Sequence, residues 1–98
     1  DAISIGTPDG TYIEANKAWF ELMGFTPEEA VGLHWRDVYA DPNDRRSFQE
    51  EMERFGNVQD YELRVRTKTG EERCLLVSST ARRDLKGKVI EYQNILPM

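Results

Sequence analysis

An α+β fold, a small sheet with short helices laid on it, is what this sequence predicts, and three observations carry the prediction. The run Asn16 to Gly32, NKAWFELMGFTPEEAVG, reads as two short helices joined by a glycine. Asp60 to Thr69, DYELRVRTKT, alternates Tyr61, Leu63 and Val65 with Glu62, Arg64 and Arg66, the period of a half-buried strand. Helices as short as those two are marginal alone, because nucleation is costly and isolated helices need roughly 12–15 residues. A sheet must therefore hold them.

Each element has its own signal. Ala2 to Gly6 and Thr11 to Ala15 read as two short strands around the Pro8-Asp9-Gly10 turn. Asn16 can cap the first helix, its side-chain carbonyl accepting from an orphan N–H in the first turn. Gly24 offers the positive φ that helix C-termini commonly need. Thr26-Pro27-Glu28-Glu29 starts the next helix with a Thr cap, a Pro at the first helical position and a Glu that closes a capping box. Asp41 caps a longer helix, with Pro42 at its first position and Asp44 where the dipole favours a negative charge. Phe48, Met52 and Phe55 recur at i, i+4 and i+7 and are expected as one core stripe, with Arg46, Glu50, Glu53 and Arg54 solvated opposite. Gly56 ends this helix. Lys68 to Glu71 is a hairpin turn, Glu72 to Arg83 a second strand, Asp84 to Gly87 another turn and Lys88 to Leu96 a third strand.

Composition narrows the function. The 98 residues fit one domain, residues 1–98, expected to be part of a longer multidomain protein. Thirteen basic and 18 acidic residues interleave to a net charge of −5 and form no basic stripe, which argues against nucleic acid as a partner. No apolar run approaches the roughly 20 residues that span a bilayer, and no signal peptide is present, so direct membrane insertion is not expected. A single cysteine excludes an internal disulfide and fits a reducing compartment.

Catalytic chemistry finds no footing. One His and one Cys lie on separate segments, without the nucleophile, base and orienting group that covalent catalysis needs. The carboxylates fall on polar faces, and there is neither a Gly-rich phosphate loop nor a Cys/His cluster at metal spacing. The domain is not expected to be an enzyme, and no metal site is expected.

The Asp9-Gly10 turn, the run Asn16-x-Ala18-Trp19-x-x-Leu22-x-Gly24-Phe25-Thr26-x-Glu28-Glu29-x-x-Gly32, the Asp41-Pro42-x-Asp44-Arg45 motif, the Lys68-x-Gly70 turn and the Gly87 turn stand in one order along the chain. Together they resemble a PAS domain, the sensor module common in bacterial and archaeal signalling proteins. The resemblance implies a five-stranded antiparallel sheet in the order 2-1-5-4-3 with the helices on one face.

For function, it implies a sensory or regulatory input domain of a multidomain signal-transduction protein, foremost a sensor histidine kinase. Such a domain relays a small-molecule or conformational signal through its last strand to an effector domain of the same chain. Two alternatives stay open: a ligand-free homodimerisation and relay module, and the input domain of a diguanylate cyclase or phosphodiesterase. A cytoplasmic location is implied, whether or not the parent protein is membrane-anchored. In the relatives the final strand runs on into Asp-Ile-Thr and a connecting helix, a hinge absent from Ile95-Leu96-Pro97-Met98.

The resemblance also sets cofactor expectations. Flavin-binding light sensors of the family carry a reactive Cys where Trp35 stands, which excludes flavin–thiol photochemistry, and their ring-contacting Asn and Gln positions correspond to Val65, Leu75 and Leu96. Haem-binding relatives place an axial His on the long helix, which has none here; His34, one segment earlier, is expected as a partly exposed helix-start residue. No cofactor is expected, although an unknown small molecule is not excluded. Family geometry puts Trp35, Tyr39, Tyr61, Leu63, Val65, Leu75, Val77, Ser79, Tyr92 and Asn94 around a pocket between sheet and helices. Inward Ser79 and Asn94 need partners there, since an unsatisfied buried polar group costs about 1–3 kcal/mol. Cys74, Leu76, Ile90 and Ile95 are expected on the opposite, outer sheet face as a docking or dimer surface, with Cys74 buried or half-buried.

Overall fold

The β1–β2 pair opens the chain in the computed structural model, which describes residues 1–97; Met98, the last residue of the Ile95–Met98 run, lies outside the described residues. The elements are β1 (Ala2–Gly6), β2 (Tyr12–Ala15), α1 (Lys17–Met23), α2 (Pro27–Ala30), α3 (Trp35–Val38), α4 (Pro42–Phe55), β3 (Asn57–Arg66), β4 (Glu72–Arg83) and β5 (Val89–Leu96). The five strands form one sheet in the order β2-β1-β5-β4-β3, antiparallel throughout, as the resemblance implies. The β1–β5 pairing closes the sheet, with Ile3 opposite Ile95 and Ser4 opposite Asn94.

Local chemistry explains where the helices begin and end. Asn16 Oδ1 accepts from the Trp19 N–H at 3.0 Å and from the Ile3 N–H at 3.0 Å, so one side chain caps α1 and ties it to β1. Gly24 ends α1 at φ +84°, a left-handed backbone that costs glycine nothing. Thr26 and Glu29 complete the capping box of α2, with Glu29 Oε1 accepting from the Thr26 N–H at 2.9 Å. Lys68 then pairs with Glu29 and joins α2 to the β3–β4 turn. Asp41 caps α4, accepting from the Asn43 N–H at 2.9 Å through one oxygen and from Arg64 Nη2 at 3.0 Å through the other.

The buried faces of the helices, Trp19 and Met23 of α1, Ala30 of α2, and Phe48 and Met52 of α4, pack into one core with Leu63, Val65, Val77, Tyr92 and Leu96 of the sheet. Two expectations need correction. Phe55 does not join the Phe48–Met52 stripe: it is 58% exposed, with the Arg54 guanidinium 5.2 Å from its ring centroid. Its angular position is right, but it is the last helical residue, and the chain turns away at Gly56 into β3. β3 also starts at Asn57, before Asp60, and ends at Arg66. A bulge at Gln59-Asp60, with Asp60 at φ +51° and its N–H donating to Ser78 Oγ at 3.1 Å, breaks the period-2 pattern there.

Candidate functional site

Between the helices and the inner sheet face lies a cavity of about 120 Å³. Alternation along the strands aims Leu63 and Val65 of β3, Val77 of β4, and Asn94 and Leu96 of β5 into it. Trp35 and Tyr39, at either end of α3, form its front.

Backbone bonds at both ends hold α3 in place. The Trp35 N–H donates to the Gly10 carbonyl at 2.9 Å, the Tyr12 N–H to the Leu33 carbonyl at 2.9 Å, and Thr11 bridges His34. At the far end Tyr39 bridges Val65, and the Ala40 N–H donates to the Arg64 carbonyl at 3.0 Å. The Trp35 ring lies so close to Gly10 that a Cβ there would stand 1.8 Å from Cδ1. Gly10 (φ +96°) therefore accommodates Trp35 as well as the turn. Half-buried His34 is the N-cap of α3, its Nδ1 accepting from the Arg36 N–H at 3.3 Å.

Of the residues expected around this space, Trp35, Tyr39, Leu63, Val65, Val77 and Asn94 border it. Tyr61, Leu75, Ser79 and Tyr92 lie outside its wall. The Tyr61 and Tyr92 rings meet Phe48 edge-on, with centroids 5.8 and 6.1 Å away, so they complete the packing under α4 instead. Tyr92 Oη accepts from Gln49 Nε2 at 3.0 Å. Leu75 is half-buried against the core, and Ser79, 1% exposed, bonds to Asn94. Trp19 and Met23 of α1, Leu33, and Arg45 and Phe48 of α4 border the cavity too. The i, i+4 spacing of Trp19 and Met23 signals a buried face, whereas nothing in the sequence marks Arg45 as inward.

Burial raises the Tyr39 hydroxyl above the usual tyrosine range, partly offset by the charge of Arg45. Tyr61 and Tyr92 are raised for the same first reason. These phenols stay protonated donors at neutral pH.

On the outer face, Cys74 is exposed, a correction to its expected burial. Leu75 and Val77 point inward, so strand alternation turns Cys74 out. Its thiol donates to Glu62 Oε1 at 3.2 Å, and that bond holds the proton and raises the thiol pKa. Leu76 is 48% exposed and Ile95 half-buried on the same face. Ile90 is 41% exposed at a bulge, since β5 pairs Glu91 with Arg82 and Val89 with Arg83, leaving Ile90 between.

At about 120 Å³ the cavity is below the roughly 300–1,000 Å³ of ordinary ligand pockets. It approaches the roughly 150 Å³ of an engineered apolar cavity that takes benzene. A guest about one ring in size suits it. Among the described residues no group of three or more His, Cys, Asp or Glu could hold a metal ion, and no helix is long and apolar enough to cross a membrane.

A family model described as a PAS domain matches residues 1–96. No curated protein matches the chain in sequence. Among solved structures, the chain is similar to the PAS domain of a protein from Colwellia psychrerythraea, at 20% identity and a TM-score of 0.84, over 98% of this chain and 83% of that one. It is also similar to a light-oxygen-voltage domain whose mechanism was studied with a flavin analogue, at 22% identity and a TM-score of 0.82, over 98% of this chain and 75% of that one. The dark structure of the blue-light photoreceptor Aureochrome1 LOV aligns at 18% identity and a TM-score of 0.80, over 97% of this chain and 72% of that one. At such identities these likenesses show the fold.

Proposed function

This chain belongs to the PAS domain family, a family of sensory modules, and from that premise we propose that it is the input domain of a multidomain signalling protein, a sensor histidine kinase foremost. In this reading a small molecule enters the cavity between sheet and helices, and the change passes through β5 to an effector domain of the same chain. The observation that carries it is the apolar cavity itself, bordered by Leu63, Val65 and Val77 on the sheet and Trp35 on α3. Spaces larger than a water molecule are few in a protein interior, and each forfeits packing energy. β5 is suited to the relay, because Asn94 and Leu96 border the cavity while Ile95 faces out from the same strand.

A flavin is not the guest in this reading. Val65, Leu75 and Leu96 stand where the flavin relatives have amide side chains, and the two of them that border the cavity, Val65 and Leu96, would set hydrocarbon against the ring's polar edge. Trp35 replaces the thiol that forms the photoadduct. The cavity is also too small for a tricyclic ring without rearrangement.

Two observations favour a second reading, a ligand-free homodimeric relay. Ser79 and Asn94 bond to each other and demand no partner from a ligand, and Cys74, Leu76 and Ile95 offer a partly apolar outer face for a second copy.

Native mass spectrometry of the purified domain, set beside its denatured mass and visible absorbance, separates the two. An adduct that leaves on denaturation supports the sensor, and a flavin or Soret band overturns the cofactor assignment. A dimer at the bare chain mass moves the relay ahead.

A further inference from the structure

We propose that the guest of this cavity is a small organic carboxylate, its apolar part inside and its carboxylate held by Arg45. The inference rests on the sensor reading above and deepens it by naming the ligand class. Three observations point to it.

The first is charge. The chain carries a net −5, yet among the described residues no Asp or Glu borders the inner cavity, and Arg45 is the only Lys or Arg that does. A single positive charge in a wall free of acids gives the space a sign opposite to that of the protein.

The second is unmet demand. Arg45 is half-buried and has no carboxylate within ion-pair distance among the described residues. Of its five N–H donors, one meets the Pro8 carbonyl, at 2.8 Å from Nη2, and another faces the Tyr39 hydroxyl, which leaves most of the fork without a protein acceptor among the described residues. The guanidinium otherwise lies 5.9, 5.5 and 6.0 Å from the ring centroids of Trp35, Phe48 and Tyr92. Those rings fix its plane by cation–π attraction but accept no in-plane hydrogen bond. The fork is thus oriented with donors to spare, which is what bidentate carboxylate recognition requires.

The third is position. Arg45 and Trp35 border both the inner cavity and an outer cleft of about 480 Å³ beside the Pro8-Asp9 turn and α4. In that outer cleft Asp9 and Glu50 compete with an anion for Arg45 and Arg46, whereas among the described residues no acid borders the inner side of Arg45, so the carboxylate is placed there.

The test uses two matched pairs of probes, benzoate with benzyl alcohol and hexanoate with 1-hexanol. They are titrated into the 98-residue chain while the methyl resonances of Leu63, Val65 and Val77 are followed by NMR. The carboxylates are expected to shift these methyls and to bind at least about tenfold more tightly than their alcohols, the range of a hydrogen-bonded charge. Arg45→Gln is expected to abolish that preference and Arg45→Lys to retain part of it. If Arg45→Gln loses its fold, the comparison on the unaltered chain decides alone. Equal binding of acids and alcohols at the cavity methyls, or a preference that survives in folded Arg45→Gln, overturns the carboxylate assignment and leaves the sensor reading standing. Failure of all four probes to shift the cavity methyls overturns both.

Discussion

Ser79 and Asn94 face each other across the β4–β5 ladder and satisfy each other, Ser79 Oγ donating to Asn94 Oδ1 at 2.6 Å. Asn94 Nδ2 passes the chain on to Ser4 Oγ at 3.3 Å, so three adjacent strands are stitched through one half-buried polar line. Ser79→Ala leaves the Asn94 oxygen without its donor and is expected to cost about 1–3 kcal/mol. Asn94→Ala should cost a similar amount, and the double variant less than the sum. Urea denaturation of the three variants checks this, and strict additivity would show that the two groups do not share one bond.

Capping strength should scale with what each cap touches. Thr26→Ala removes one cap of a four-residue helix and is expected to lose about 1 kcal/mol. Asn16→Ala removes the α1 cap together with the bond to the Ile3 N–H of the central sheet, so its loss should be clearly larger. The order of the two thermal midpoints tests the claim.

Along α4, burial rather than residue type should set the cost of truncation. Phe48 is 1% exposed and touches Tyr61 and Tyr92 edge-on, so Phe48→Ala is expected to cost about 3–5 kcal/mol. Phe55→Ala, at an exposed position, should stay within about 0.5 kcal/mol. Comparable losses at the two positions would restore Phe55 to the core stripe.

Glu29 gives the fold a modest acid sensitivity. Its bond to Lys68, then that to the Thr26 N–H, lower its pKa below the ordinary 4.5. A depressed carboxylate pKa stabilises the fold above the unfolded value, and the contribution fades as pH falls from about 4.5 through the folded value. Glu29→Gln should therefore lower the melting temperature at pH 6 and converge with the parent chain near pH 3. Because the group is exposed, the gap should also shrink in high salt. A gap independent of pH contradicts the assignment.

Much of the fold was legible in the sequence because its signals are local. Asn16, Gly24, Thr26, Asp41 and Gly56 mark helix ends through chemistry confined to one turn of chain, and each does so in the structure. The start of β3 was not legible, since the bulge at Asp60 depends on a bond to Ser78 in another strand. Phe55 has the right helical angle but lies at the end of α4, and helix periodicity carries no information about where the core stops. The cavity wall divides along the same line. Strand alternation suffices to turn Val65 and Val77 inward, whereas the turn of Tyr61 and Tyr92 toward Phe48 depends on how α4 crosses the sheet. Arg45 is legible only in three dimensions, where its half-buried charge meets three aromatic rings.

The cavity is the premise of the functional reading, and xenon tests it most directly. An apolar space near this size binds xenon or benzene without polar help. In a crystal of the domain under xenon pressure, density is expected among Leu63, Val65 and Val77, behind Trp35. Empty density there would mean that the side chains close the space themselves, and the small-molecule sensor would give way to the ligand-free relay.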